Sequence, residues 1–332
     1  MSERTPVTLV TGAAGEIGTS LLERLERIGG QEVVTVDLQP LPGDTRRAGH
    51  REHFAGDILD EDLWRAFSGR YRPVAIFHLA AVLSTRVEEA PLLGQRVNVD
   101  GTARLLDLAE KAARPGRPVR FIFPSSIAVY GFPTAAAKEA APPVREEEQL
   151  APFTLYGAQK LYIERLGVAL ERRGRGLDFR SVRLPGLISC ETLPQGGTSD
   201  WAPELIHAAA QGATYACFVR REARLPFCAM PDAVDGIWRL AAAAKGRLTR
   251  NSYNLGGHPY SASEVIARVR QDFADARVVD RLDRTRDRIV ASWPAAVDDR
   301  RARRDFGHAP VHDRETLFSR YLIPGIRRRY AR

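Results

Sequence analysis

The sequence predicts an α/β fold: a Rossmann-type doubly wound parallel sheet over residues 1–185, then a smaller C-terminal substrate-binding lobe over 186–332, with about 230–257 returning to the main domain. Short β-branched runs alternate with longer segments of helical period through the first half of the chain. A glycine-rich turn follows the first run directly, and the alternation weakens after Pro185.

The elements run in order from the N-terminus. Val7 to Val10 is an apolar run suited to a buried strand, and Ile17 to Ile28 carries the helical period behind it. Val33 to Val36, Val74 to His78, Val119 to Phe123 and Phe179 to Leu184 are further strand candidates. Helix candidates fall at Glu61 to Phe67, Val97 to Ala113 and Tyr156 to Arg172. The Ala/Pro/Glu-rich stretch from Pro133 to Pro152 reads as a surface loop, and the segment after Pro185 is rich in turn formers. No internal repeat or heptad array interrupts this order.

At 332 residues, 44% of them hydrophobic and 27% charged, the chain has enough apolar material for one large globular unit or two merged lobes. No apolar run reaches the roughly 18 residues of a membrane helix, and no signal-peptide pattern follows Met1, so a cytoplasmic location and no membrane partner are expected. Cys190, Cys217 and Cys228 have neither the number nor the spacing of a disulfide framework or a zinc site, so free thiols and no metal are expected. The net charge of +8 and the runs at Arg300, Arg301, Arg303, Arg304 and Arg327, Arg328, Arg329 raise the question of nucleic acid. Acidic residues interrupt the first run and few aromatics are interleaved for base stacking, so no nucleic-acid partner is expected.

The turn Gly12, Gly15, Glu16, Ile17, Gly18 follows a strand and opens a helix, the context in which such glycines hold a dinucleotide. The first permits the sharp turn, the second lets backbone approach a pyrophosphate, and the third lets helix and strand pack closely. Asp37 lies 19 residues beyond Gly18, at the interval where a carboxylate accepts from the adenosine ribose and repels a 2′-phosphate, so NAD is favoured over NADP. Asp57 and Ile58 follow the presumed third strand, where Asp57 can reach adenine. Leu79, Ala80 and Ala81 offer a close backbone approach to the dinucleotide, and Asn98 lies on the next helix.

Tyr156 and Lys160 carry the reaction chemistry. Lys111, Lys138, Lys160 and Lys245 are the only lysines, and with 9 tyrosines about 0.1 Tyr-x-x-x-Lys pairs arise by chance. Residues four apart share a helix face, and an ammonium there favours ionisation of the phenol. Tyr156 is therefore the candidate base, with a pKa expected to be lowered from the usual value near 10.

TGAAGEIG, HLAAVLS, FPSSIAVYG and YGAQK together resemble the extended short-chain dehydrogenase/reductase family. VRLPGLIS, GGTSDWA, YACFVRREARLPF, SYNLGG and ASWPAAVDDRRARRDFG are similar to the metal-independent L-threonine 3-dehydrogenases within it. The resemblance implies oxidation of the Cβ hydroxyl of L-threonine to 2-amino-3-oxobutanoate, with hydride passing to NAD. In it Tyr156 is the base, aided by Lys160, and Ser126 hydrogen-bonds the reacting oxygen. It implies substrate contacts from Ser84, Gly186, Thr198, Ser199, Asp200 and Trp293, with Thr198-Ser199-Asp200 offering donors for a carboxylate and an acceptor for an ammonium. A homodimer built on long helices is implied as well.

The chain departs from that pattern at Ser199-Asp200-Trp201, where two threonines and a tyrosine span the usual 198–201 stretch, and at Ala291, where an aspartate is usual. These positions leave room for another β-hydroxy amino acid. A sugar-nucleotide epimerase or dehydratase sharing Ser126, Tyr156 and Lys160 is one competing reading, and a non-catalytic NAD-sensing regulator is another.

Overall fold

A computed structural model describes residues 4–41 and 49–331. The chain forms two compact units that interleave along the sequence. The first takes residues up to 125, then 159–182 and 237–252; the second takes 126–158, 183–236 and 253 onward.

The main sheet has seven strands. They are β1 (Thr5–Thr11), β2 (Val33–Asp37), β3 (His50–Ala55), β4 (Tyr71–His78), β5 (Val119–Ser126), β6 (Leu177–Leu184) and, further along the chain, Ser252–Asn254. Their order is Ser252–Asn254, β6, β5, β4, β1, β2, β3, and the β1–β2, β1–β4, β2–β3 and β4–β5 pairs are all parallel. The order reverses between β1 and β4, the switch point at which an open α/β sheet binds its ligand beyond the carboxyl ends of the strands.

Helix α1 (Glu16–Ile28) buries Leu21, Leu22 and Leu25 and stops at Gly29, whose φ of 69° is left-handed. Helix α2 (Glu61–Arg70) starts at Asp60, whose side chain caps the amide of Asp62. Short helices α3 (Ser84–Glu89) and α4 (Pro91–Gly94) lead into a π-helical segment, Gln95–Gly101, and then α5 (Thr102–Ala112). The continuous helix expected over Val97 to Ala113 is thus broken by a wider turn, and Asn98 sits inside it. Val7, Leu9, Val34, Val36, Phe67, Ile76, Leu105, Phe121 and Phe179 form the dry centre of this unit, with the Phe121 and Phe179 rings stacked at 6.1 Å.

The second unit holds α6 (Ala135–Ala140), the three strands β7 (Gly186–Ile188), β9 (Arg224–Ala229) and β11 (His258–Ser261), and the pair β8 (Thr214–Cys217) with β12 (Arg277–Asp280). Helix α8 (Trp201–Ala210) precedes β8, α10 (Ala262–Asp272) follows β11 behind a complete Ser261–Glu264 capping box, and α11 (Arg284–Ser292) follows β12. Between β9 and the Ser252–Asn254 strand, numbered β10, runs α9 (Met230–Ala242); α12 (Arg300–Phe306) and α13 (Ile323–Tyr330) complete the chain.

The stretch from Pro133 to Pro152 is more than the surface loop its composition suggests. Thr134 caps α6, and buried Lys138 donates to the carbonyls of Arg224 and, at 2.9 Å, Val290. Glu146 is buried and paired with Arg301 at 2.7 Å. Lys138 and Glu146 anchor it, a signal that the Ala/Pro/Glu composition hides.

The arginine run at 300–304 is neutralised locally. Arg300 pairs with Asp298, Arg301 with Glu146 and Glu147, Arg303 with Asp299 and Arg304 with Asp305. Among the described residues no helix is long and apolar enough to cross a membrane, and the three cysteines are buried thiols.

Candidate active site

The candidate cofactor residues lie in the first unit. Gly12, at φ 69°, sits so close to the loop after β4 that a Cβ there would lie 2.4 Å from the amide nitrogen of Ala80 and 2.6 Å from the carbonyl carbon of Leu79. Only glycine fits. Gly18 is equally confined, because a Cβ would lie 2.2 Å from the Gly12 carbonyl. Gly15 starts α1 with no side-chain cap, and a helix start of this kind favours an anion beside Glu16 and Ile17. Asp37 braces the turn: Oδ2 accepts from the Ala14 amide and Oδ1 from the Gln39 amide, both at 2.9 Å. The cradle and the open helix start suit a dinucleotide pyrophosphate.

One strand further out, the Gly56 amide donates to the Asp37 carbonyl at 2.8 Å, which brings Asp57 beside that end of the sheet. The Asp57 side chain accepts from the Leu59 amide and stays exposed, whereas Ile58 is buried and packs over Gly101. On the other side of the turn, Leu79, Ala80 and Ala81 run past Gly12, and Asn98 clamps the next residue, Val82. Its Oδ1 accepts from the Val82 amide at 2.8 Å, while Nδ2 donates to the Val82 carbonyl and to Gln159 Oε1. Asn98 therefore acts on the loop that carries the small residues. Ser84, buried, opens α3 just beyond it.

His78 carries no role in the sequence reading, although it stands at the head of HLAAVLS. Thr102 Oγ1 donates to the Asn98 carbonyl at 2.6 Å, so it must accept from His78 Nε2 at 2.8 Å. Nδ1 then accepts from Thr11 Oγ1 at 2.7 Å. A buried neutral imidazole thus ties the strand end before Gly12 to the helix that carries Asn98. Burial, with the Lys160 ammonium adding to it, pushes this imidazole down to about 3.

Tyr156 and Lys160 lie one turn apart on α7 (Leu155–Glu171), a helix whose first residues belong to the second unit and whose remainder belongs to the first. Gly157 lets that helix start approach the backbone, since a Cβ would lie 2.0 Å from the Ala128 carbonyl. Lys160 is buried, donates from Nζ to the Pro124 carbonyl at 2.8 Å, and stands 4.5 Å over the Phe123 ring. Burial pushes its ammonium down to about 8, against the opposing pull of Glu164. The Tyr156 ring keeps some accessible surface, yet protein packed about it pushes the phenol up to about 12. That reverses the direction expected from the Tyr-x-x-x-Lys spacing, because desolvation of the phenolate outweighs an ammonium that burial also disfavours.

Ser126 ends β5 and caps the turn Ile127–Val129, its Oγ accepting from the Ala128 amide at 3.1 Å. Its proton remains available to donate. Its neighbour Ser125 is buried, with no hydrogen-bond partner for Oγ.

The second unit holds the remaining candidates. Gly186 starts β7 where a Cβ would lie 2.7 Å from the Phe227 ring, and that ring meets buried Trp201 edge-on at 5.1 Å. Thr198 is buried and Ser199 partly so. Asp200 closes the turn, its Oδ2 accepting the amides of Gly197 at 2.7 Å and Gln195 at 3.1 Å. Arg286, absent from the sequence reading, donates to the Gly197 carbonyl at 2.8 Å and stacks on Phe218. It sits on α11, one residue before Asp287 and seven before Trp293, which is buried at the end of that helix. Helical spacing from Trp293 is the signal that points to it. Among the described residues no group of three or more potential metal ligands occurs.

Comparison with known proteins gives the family. The model of the NAD dependent epimerase/dehydratase family matches residues 8–256. A mitochondrial L-threonine 3-dehydrogenase of Bos taurus is 30% identical over 300 residues, 90% of this chain and 77% of the relative. An uncharacterized epimerase/dehydratase of Staphylococcus aureus is 32% identical over 308 residues, 92% of either chain. The solved apo structure of a monomeric L-threonine 3-dehydrogenase from a metagenome superposes with a TM-score of 0.84 at 31% identity, covering 97% of this chain and 99% of that one. The family match opens within β1 and closes just past β10, taking in the glycine turn, Ser126 and α7, and the chain belongs to the NAD-dependent epimerase/dehydratase family.

Proposed function

We propose that this protein oxidises the Cβ hydroxyl of L-threonine to 2-amino-3-oxobutanoate, with Tyr156 as general base, Lys160 beside it on α7 and Ser126 holding the reacting oxygen. The similarity to L-threonine 3-dehydrogenases across nine-tenths of the chain carries this reading. Gly12, Gly15, Gly18, Asp37 and the loop of Leu79 to Ala81 would hold NAD, which would supply the acceptor for the hydride leaving Cβ. The hydroxyl proton goes to the Tyr156 phenolate. Asp37 argues for NAD over NADP, since a 2′-phosphate would meet a carboxylate. Thr198 and Ser199 are the donors for the substrate carboxylate, and Trp293 closes the pocket over the methyl group.

Recombinant protein with L-threonine should form NADH at 340 nm, at a kcat/KM at least tenfold above that with NADP+, and should keep its rate after treatment with a chelator. Turnover of other alcohols with none of L-threonine would remove the substrate. Relatives named as uncharacterized epimerases or dehydratases support a second reading on sugar nucleotides. NAD that copurifies through gel filtration, with no net NADH from any β-hydroxy amino acid, would favour it.

The clamp at His78 gives a further expectation. His78→Leu removes both hydrogen bonds that tie Thr11 to Thr102 and should weaken NAD binding by roughly tenfold, about 1.4 kcal/mol, in direct titration. His78→Asn, which keeps an acceptor toward Thr11, should recover part of it. Equal affinity in all three proteins would show that the clamp does not set the cofactor loop. Leu92, 80% exposed on α4, and Tyr162, 53% exposed on α7, support a homodimer through these helices. Light scattering that gives a single-chain mass would exclude it.

A further inference from the structure

We propose that the amino-terminal edge of the parallel sheet in the first unit holds a second anion site, one that takes a phosphate or pyrophosphate group. A cavity of about 420 Å³ opens there, lined by Pro6, Arg72, Val74, Arg117, Arg120 and Asp178 among others. These residues come from the start of β1, β4, β5 and β6, so the cavity lies at the end of the sheet opposite the glycine turn. Along β1 alone, Thr5 to Thr11 spans roughly 20 Å. Register sets the arginines on adjacent strands, with Arg72 opposite Pro6 on β1 and Arg120 opposite Ala75 on β4.

Charge decides what such a cavity takes. Asp178 is the one carboxylate among the named lining residues, and it is already neutralised: Arg180 pairs with Oδ2 at 2.5 Å and Lys245 with Oδ1 at 3.0 Å. Burial pushes that carboxyl up, but the two cations outweigh it and hold it below the usual range. Among the described residues neither Arg117 nor Arg120 forms an ion pair, and the one contact that Arg120 makes from Nη1 is to a neutral carbonyl, that of Ala241, at 3.0 Å. Arg72 is buried against the same space. Arg117 and Arg120 therefore border a space whose single carboxylate is engaged elsewhere. Their planar forks match phosphate oxygens, and Pro6, Val74 and Pro118 border the same space.

The test is calorimetric titration of the full chain with pyrophosphate, and separately with inorganic phosphate, at low ionic strength and saturating NAD+, which keeps the glycine turn filled. One pyrophosphate site is expected. Arg117→Gln with Arg120→Gln should weaken it by roughly tenfold or more, while Arg65→Gln, an exposed α2 arginine outside the cavity, leaves it unchanged. NAD affinity should be the same in all three proteins. Absence of binding, or equal weakening by the Arg65→Gln control, would overturn the site. A signal insensitive to Arg117 and Arg120 would locate the anion elsewhere and overturn it too. Failure to oxidise L-threonine would leave this result standing, because no step of the titration depends on turnover.

Discussion

Tyr156→Phe should bind NAD as tightly as the parent protein and lose turnover of L-threonine by about 10²–10⁴-fold, the usual contribution of a positioned base. The substitution removes one oxygen from a ring that α7 and the packing around it already hold, so the fold should not change. The two readouts separate the roles of the residue. A parallel loss of NAD affinity would make Tyr156 a cofactor anchor, and unchanged turnover would show that the proton goes to another group. The direction of its pKa adds a constraint. A phenol pushed up to about 12 is almost wholly protonated at neutral pH, so the base form is scarce there and the rate should climb as pH rises.

Lys160→Met should inactivate the enzyme and stabilise it at once. A buried ammonium pushed down from 10.5 to about 8 binds its proton less well in the folded chain than in the unfolded one. The folded state is therefore destabilised by on the order of 3 kcal/mol below pH 8, and the penalty is relieved as pH rises from about 8 toward 10.5. Methionine fills similar space without charge. It leaves the Pro124 carbonyl without its donor, which offsets about 1 kcal/mol of that gain, so a rise in Tm of a few degrees at pH 7 is expected. That difference should shrink when the melts are repeated near pH 10. A fall in Tm would mean that the ammonium, its contact with Phe123 and its carbonyl partner stabilise the fold more than desolvation destabilises it. Unimpaired activity would remove Lys160 from the reaction.

Much of this arrangement was legible from sequence because it rests on backbone constraints. Gly12 and Gly18 have no room for a Cβ, and a strand followed by such a turn has few alternatives. Tyr156 and Lys160 share a helix face by spacing alone. The parallel sheet follows from the alternation of strands and helices. What escaped was set by tertiary hydrogen bonding. His78 looked like the polar end of a strand, and only the positions of Thr11 and Thr102, far off in sequence, turn it into a clamp. The wide turn at Asn98 has no local signal in a stretch that otherwise reads as good helix. Lys138 and Glu146 were hidden by an Ala/Pro/Glu background that resembles a solvated loop. The direction of the Tyr156 shift failed for a related reason: spacing reports the nearby ammonium, whereas the surrounding density that desolvates both groups comes from the whole fold.

The dependence of kcat/KM for L-threonine on pH, from 6 to about 11 at saturating NAD+, measures the proton acceptor most directly. A buried phenol acting as base requires a rate that rises close to tenfold per pH unit on the acid side and a limb that disappears in Tyr156→Phe. A profile that is flat from pH 6 upward, or an ascending limb retained in Tyr156→Phe, would show that Tyr156 is not the group that takes the proton.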